Sequence, residues 1–166
     1  GGSVTVTARG DITLGDSSRI IVGGGIGGEA RAESSSGTLL ASGLIDGSGR
    51  SGPGGTVYLL APRVALLRRA LVDVSGESGG GTILVGGDYQ GKNTGIQNAT
   101  ATYVGSDVTL NADAVTSGSG GKIIVWSNEA TRAYGTITAR GGADGGDGGF
   151  VETSSKGYLN VTRAPD

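Results

Sequence analysis

The chain has no cysteine, no histidine and no methionine. Without cysteine there is no disulfide framework and no thiolate zinc site, and without cysteine or histidine the usual nucleophile and base pairs are excluded. The same lack of thiols suits an exported chain that has to stay unfolded in transit. Aromatic residues are few, with one Trp, one Phe and five Tyr, so any core must be filled by Val, Ile, Leu and Ala. Neither sign of charge dominates: 15 acidic and 13 basic residues give a net charge of −2. They are scattered along the chain, so nucleic acid and anionic membrane are not expected partners. No apolar run approaches the ~20 residues needed to span a bilayer. There is no signal peptide and no initiating Met, and the chain is expected to be a piece of a longer one.

What the chain has in quantity is glycine, 36 of 166 residues, with 3 prolines besides. At that level an aperiodic sequence would be disordered, so periodicity decides the reading. Six Gly-Gly pairs open comparable segments: Gly1-Gly2, Gly27-Gly28, Gly54-Gly55, Gly80-Gly81, Gly120-Gly121 and Gly148-Gly149. Their spacings are 26, 27, 26, 40 and 28 residues, and the 40 reads as one period plus an insertion. Three residues past each first glycine stand Val4, Ala30, Val57, Ile83, Ile123 and Val151. Five residues past it stand Val6, Ala32, Leu59, Val85, Val125 and Thr153. The residue before each of the first set is polar in five of six repeats, which is strand alternation locked to one register.

Two further strands follow in each repeat. Ile12 and Leu14, Val64 and Leu66, and Leu159 and Val161 mark the second. Ile20 and Val22, Val72 and Val74, and Ile137 and Ala139 mark the third. In the enlarged repeat, Val108 and Leu110 are expected to resume the second strand. A unit of three short strands with glycine corners cannot bury its apolar stripe alone, whereas stacked copies share one core. The expected fold is therefore all-β: a parallel β-helix (β-solenoid) of about six coils of ~26 residues, one of them enlarged. It forms a single segment over residues 1–166, with the insertion at about 86–105 and a rod on the order of 25 Å long. A flat sandwich competes, but it would show regular hairpin signals that are only scattered here.

The pattern from Gly1 to Leu14, Gly-Gly-x-Val-x-Val-x-Ala-x-Gly-x-Ile-x-Leu, resembles repeats of filamentous haemagglutinin-like exoproteins of two-partner secretion systems. So do Gly81-Thr82-Ile83-Leu84-Val85-Gly86-Gly87-Asp88-Tyr89-Gln90-Gly91, Asn111-Ala112-Asp113-Ala114, Gly121-Lys122-Ile123-Ile124-Val125-Trp126 and Gly148-Gly149-Phe150-Val151-Glu152-Thr153-Ser154. The resemblance covers essentially the whole chain. It implies a right-handed β-helix exported by a partner transporter of the outer membrane, secreted or held at the bacterial surface, with adhesion as its usual role. The amino-terminal secretion domain and any carboxy-terminal effector of such proteins are not recognised here, so the expectation is a piece of shaft.

The insertion carries Asp88, Tyr89, Gln90, Lys92, Asn93, Asn98 and Tyr103. A loop protruding from a uniform rod is a natural recognition element, and Tyr, Asn and Gln suit stacking on and hydrogen bonding to a sugar or peptide. The alternative is a structural flap that covers the side of the helix. Arg9-Gly10-Asp11 is an integrin-type tripeptide at an expected corner, where Gly10 could equally just make the turn. Asp144 and Asp147 sit in a glycine-aspartate run that loosely resembles calcium-binding nonapeptides, but calcium takes six to eight oxygens and only one imperfect copy is present. A glycine corner is the plainer reading, and no cofactor is expected. Trp126 follows an inward residue and should face outward beneath the inserted loop, whereas Tyr58 and Glu152 are outward with no special role expected. Asn98-Ala99-Thr100 and Asn160-Val161-Thr162 fit the glycosylation sequon.

Parallel β-helices also house polysaccharide lyases and hydrolases, which need clustered carboxylates or a base beside acidic calcium ligands. The outward row after the Gly-Gly corners reads Thr5, Arg31, Tyr58, Leu84, Ile124 and Glu152, with no acidic ladder. The chain is thus not expected to be an enzyme. The leading expectation is a shaft segment of a filamentous adhesin contacting host-cell, bacterial or glycan surfaces. A self-assembling filament joined end to end through open coil edges is the first alternative, and a polysaccharide-binding or -cleaving β-helix the second. Leu84 and Ile124, neighbours on one outward face, point to a surface covered by the insertion or by a partner.

Overall fold

A computed structural model describes all 166 residues. Every strand pairs in parallel with the equivalent strand of the next coil, and the chain is a parallel β-solenoid of about six turns with three sheets. The first sheet stacks β1 (Ser3–Ala8), β4 (Glu29–Ser34), β7 (Thr56–Leu60), β10 (Thr82–Val85), β13 (Lys122–Ser127) and β16 (Phe150–Ser155). The second stacks β2 (Ile12–Leu14), β5 (Thr38–Ala41), β8 (Arg63–Leu66), β11 (Ala101–Val104), β14 (Ala130–Ala133) and β17 (Tyr158–Val161). The third stacks β3 (Arg19–Ile21), β6 (Leu44–Asp46), β9 (Leu71–Asp73), β12 (Thr109–Asn111) and β15 (Thr136–Thr138).

Pairing is in register throughout, so each inward position becomes a column along the rod. Val4, Ala30, Val57, Ile83, Ile123 and Val151 form one column of the first sheet, and Val6, Ala32, Leu59, Val85, Val125 and Thr153 the other. Ile20, Ile45, Val72, Leu110 and Ile137 form the column of the third sheet. These columns meet in one apolar core, fully enclosed in the middle coils and open at the outermost ones, where Val4 is 36% exposed.

The second sheet corrects the reading of the enlarged coil. Val108 and Leu110 do not resume the second strand: Leu110 lies in β12, paired with Val72 and Ile137 of the third sheet. The second strand of that coil is β11, whose inward residues are Thr102 and Val104. Thr102 is buried because its hydroxyl donates to the Trp126 carbonyl at 2.7 Å, which replaces an apolar contact with a satisfied hydrogen bond. The insertion consequently covers residues 86–100 and stops short of Tyr103, which belongs to β11.

The paired glycines have a steric cause. The carbonyls of Gly2, Gly28, Gly55, Gly81 and Gly121 each accept the amide of the strand-opening residue one coil on, at 2.8–2.9 Å. A methyl group on Gly28, Gly55, Gly81, Gly121 or Gly149 would run into that same carbonyl. Of 106 backbone hydrogen bonds, 62 lie outside the strand ladders, so coil-to-coil bonding continues through the corners. A second corner device recurs after the third sheet. Asp46, Asp73 and Asn111 are stacked in register, and each side chain accepts the backbone amide two residues on, from Ser48, Ser75 and Asp113 at 2.9, 2.9 and 3.0 Å.

Gly81→Ala is expected to destabilise the chain by roughly 2 kcal/mol through overpacking against the Gly55 carbonyl. Gly148→Ala, where nothing lies within 4 Å of the added carbon, should be close to neutral. Urea melts of the two variants make the comparison.

Candidate functional site

The first sheet alternates between buried and less buried positions in β4 but not in its middle coils. β4 follows the period of two, whereas every residue of β10 and β13 after the first is buried. Leu84, Ile124 and Trp126 form a second apolar cluster on the outside of the sheet, with Tyr58 packed against it. A strand with two apolar faces needs cover on both. Residues 86–100 supply it as a flap folded over this face.

The flap closes at its base through the Ala99 amide, which donates to the Gly86 carbonyl at 2.7 Å. Gly86 leaves the strand with φ +75°, and a side chain there would collide with Thr102 and the Trp126 carbonyl. The backbone turns again at Gln90 and Gly91, with φ of 52° and 62°. Gly91 lies flat on the indole, so that a methyl group would come within 2.6 Å of the ring. For Gln90 the left-handed conformation costs on the order of 1 kcal/mol. It directs the Gln90 amide to the Glu152 carboxylate at 3.2 Å. Glu152, expected to have no special role, is therefore a flap anchor.

Asp88 is the polar centre of the flap. Its carboxylate accepts the Tyr89 amide at 2.7 Å, the Asn93 side-chain amide at 2.9 Å and the Lys122 ammonium at 2.7 Å. Partial burial alone would raise its pKa, but the hydrogen bonds from Asn93, Lys122 and Tyr89 and the Lys122 charge together hold it below the ordinary carboxylate value. Asn98 donates to the Gly91 carbonyl at 2.9 Å, so this sequon asparagine is engaged within the flap. Lys156 lies over the Trp126 ring at 5.9 Å, and Tyr89 meets Phe150 edge to face at 5.7 Å.

Asp88, Tyr89, Gln90, Lys92 and Asn93 are thus gathered in one flap; Tyr89 and Lys92 are exposed, while the Asp88 and Asn93 side chains are committed to each other. Tyr103 is not among them. It faces outward on β11, stacks edge to face on Tyr134 at 5.8 Å and borders a shallow depression with Arg63 and Arg132. Arg9, Gly10 and Asp11 are exposed at the corner between β1 and β2. Asp11 accepts the Thr38 amide at 2.7 Å, and the Arg9 carbonyl accepts the Ser36 hydroxyl and amide. Asp144 and Asp147 are exposed in the glycine corner of the fifth coil, and no third acidic side chain joins them in a cluster able to hold a metal ion.

The Asp46–Asp73 stack belongs to the third sheet and does not show in the outward row of the first. The signal was the shared Asp-x-Ser spacing at 46–48 and 73–75. Both carboxylates are occupied, Asp46 by the Ser48 amide and hydroxyl, Asp73 by the Ser75 amide and the Asn111 side chain.

No protein-family model and no curated protein sequence matches the chain. Among solved structures, its β-solenoid is similar to the crystal structure of the HMW1 secretion domain from Haemophilus influenzae. The TM-score is 0.59 at 28% identity, over 98% of this chain and 47% of the other. The chain therefore spans about half the length of the solved chain it matches.

A carboxylate whose pKa is lowered by folding stabilises the fold above its unfolded value and loses that contribution as pH falls through the folded one. The Asp88 contacts should accordingly hold the flap at neutral pH and release it below about pH 4. Trp126, the only tryptophan, reports the release as a red shift of its fluorescence. Asp88→Asn should show a looser flap already at neutral pH and a blunted acid transition.

Proposed function

We propose that the chain is a shaft segment of a secreted or surface-displayed bacterial filamentous adhesin, exported by an outer-membrane transporter of the two-partner type. The observation that carries this reading is the structural similarity to a secretion domain along 98% of the chain. The family resemblance of the Gly-Gly repeats and of the Gly81–Gly91 stretch supports it. In this reading the columns make a rigid spacer, and the flap is the part that breaks its uniformity. Attachment to host-cell, bacterial or glycan surfaces is assigned to the exposed Tyr89 and Lys92 of the flap. The chain is not an enzyme in this proposal: the one stacked acidic pair, Asp46 and Asp73, is spent on turn capping.

The same similarity favours a second reading, in which the chain is part of a secretion domain itself, because that is what the matched structure is. Export separates the two. Co-expressed with a two-partner transporter, a shaft segment should reach the medium only when fused behind a secretion domain, whereas a secretion-domain piece should engage the transporter by itself. For the attachment role, beads coated with the chain should bind cells above albumin-coated beads, and deletion of residues 87–98 should remove the difference. Equal binding of both bead types would leave a shaft without adhesive function.

A further inference from the structure

Three enclosed side-chain atoms have no hydrogen-bond partner in the protein: Trp126 Nε1, Asn98 Oδ1 and Asn128 Oδ1. All three belong to the seam between the flap and the first sheet. Trp126 lies under the flap and is 4% exposed. Asn98 stands at the base of the flap, and its side-chain N–H is already given to the Gly91 carbonyl at 2.9 Å. Asn128 follows the end of β13, and its backbone amide donates at 2.8 Å to the carbonyl of Ala99, the neighbour of Asn98. Enclosed polar atoms in a folded chain are nearly always partnered, so three orphans in one seam require a cause.

The indole N–H and the Asn98 oxygen are close without meeting. A methyl group on Gly87 would stand 2.5 Å from Trp126 Cδ1 and 2.7 Å from Asn98 Oδ1, so one point of the seam is within 2.7 Å of both. Nε1 is bonded to that ring carbon. Gly91 presses on the same edge of the indole, where a methyl group would lie 2.7 Å from Nε1. The two glycines thus bring backbone against the ring and leave no room for a side chain between flap and indole.

We propose that one water molecule is built into this seam, accepting from the Trp126 N–H and donating to the amide oxygens of Asn98 and Asn128. Three hydrogen bonds are what a buried water typically makes. The chemistry of the three atoms selects it. A cation, ammonium included, cannot accept the indole N–H, and an anion cannot donate to two amide oxygens. An alcohol has one O–H to give and leaves one oxygen orphaned, and the crowding of Gly87 and Gly91 on the ring excludes a larger molecule. The water ties β13 to the base of the flap from inside, as Asp88 and Lys122 do from outside. The site does not depend on the export or attachment readings.

With a single tryptophan, the whole chain gives one indole N–H signal in NMR. In a rotating-frame experiment that signal should show a cross-peak to water whose sign reports proximity and not proton exchange. Asn98→Leu should lose the cross-peak, and its indole N–H should exchange with solvent about tenfold faster, the weight of one hydrogen bond. Asn98→Asp keeps an acceptor but gives up the bond to Gly91, so it should retain the cross-peak. The wild-type spectrum decides even where a variant fails to fold: no cross-peak, or one of exchange sign, overturns the proposal. So does a cross-peak at full strength in folded Asn98→Leu, or an equal loss in Asn98→Asp, which would trace it to the Gly91 bond alone.

Discussion

Everything in this molecule depends on parallel pairing in strict register between equivalent residues of successive coils. The hydrogen bonds between coils fix the register, and the register turns each residue into a member of a column. The members of a column are one another's nearest neighbours, so where a column is enclosed or crowded it repeats one kind of chemistry. Inward columns are mostly aliphatic, with Thr102, Thr131 and Thr153 as their polar members, and the corner columns that stack backbone on backbone are glycine. Asp46, Asp73 and Asn111 form a column for the same reason: each caps its own turn, and Asn111 at one end donates to the Asp73 carboxylate at 3.2 Å. Asp46 and Asp73 are tolerated next to each other because backbone amides occupy both.

The readable part of the sequence was the part in which columns repeat. The Gly-Gly ladder and the two valine-rich columns of the first sheet are legible because six copies of the same constraint are superimposed. The enlarged coil was not legible in the same way, and the reason lies in β11. Its inward Thr102 is polar, its outward Tyr103 is aromatic, and the apolar alternation that marks a strand is absent. The next clean apolar pair, Val108 and Leu110, therefore resembles a second strand although Leu110 belongs to the third sheet. A threonine that donates its hydroxyl to a neighbouring carbonyl satisfies the interior as well as valine does, but it leaves no hydrophobic signal.

The flap shows how a departure from the pattern on one element implies a second element elsewhere. Leu84 and Ile124 break the polar outward row, and what they imply is the cover that residues 86–100 provide. The anchors of that cover were less visible. Glu152 lies in another coil, 62 residues from Gln90, and its role depends on a left-handed turn at Gln90 that no composition rule predicts.

The placement of the flap anchors has a mechanical side. Inter-coil hydrogen bonds run along the rod axis, so an axial pull loads all three sheets of one interface at once and the weakest interface yields first. The flap grows from the fourth coil but is tied to Ser35 in the second through Gln97, to Lys122 in the fifth through Asp88, and to Glu152 in the sixth through Gln90. It therefore runs as a brace across four successive interfaces. Tension that would open one of them is shared with the contacts of Trp126 and Asp88, and the stretch of rod beneath the flap becomes its stiffest span.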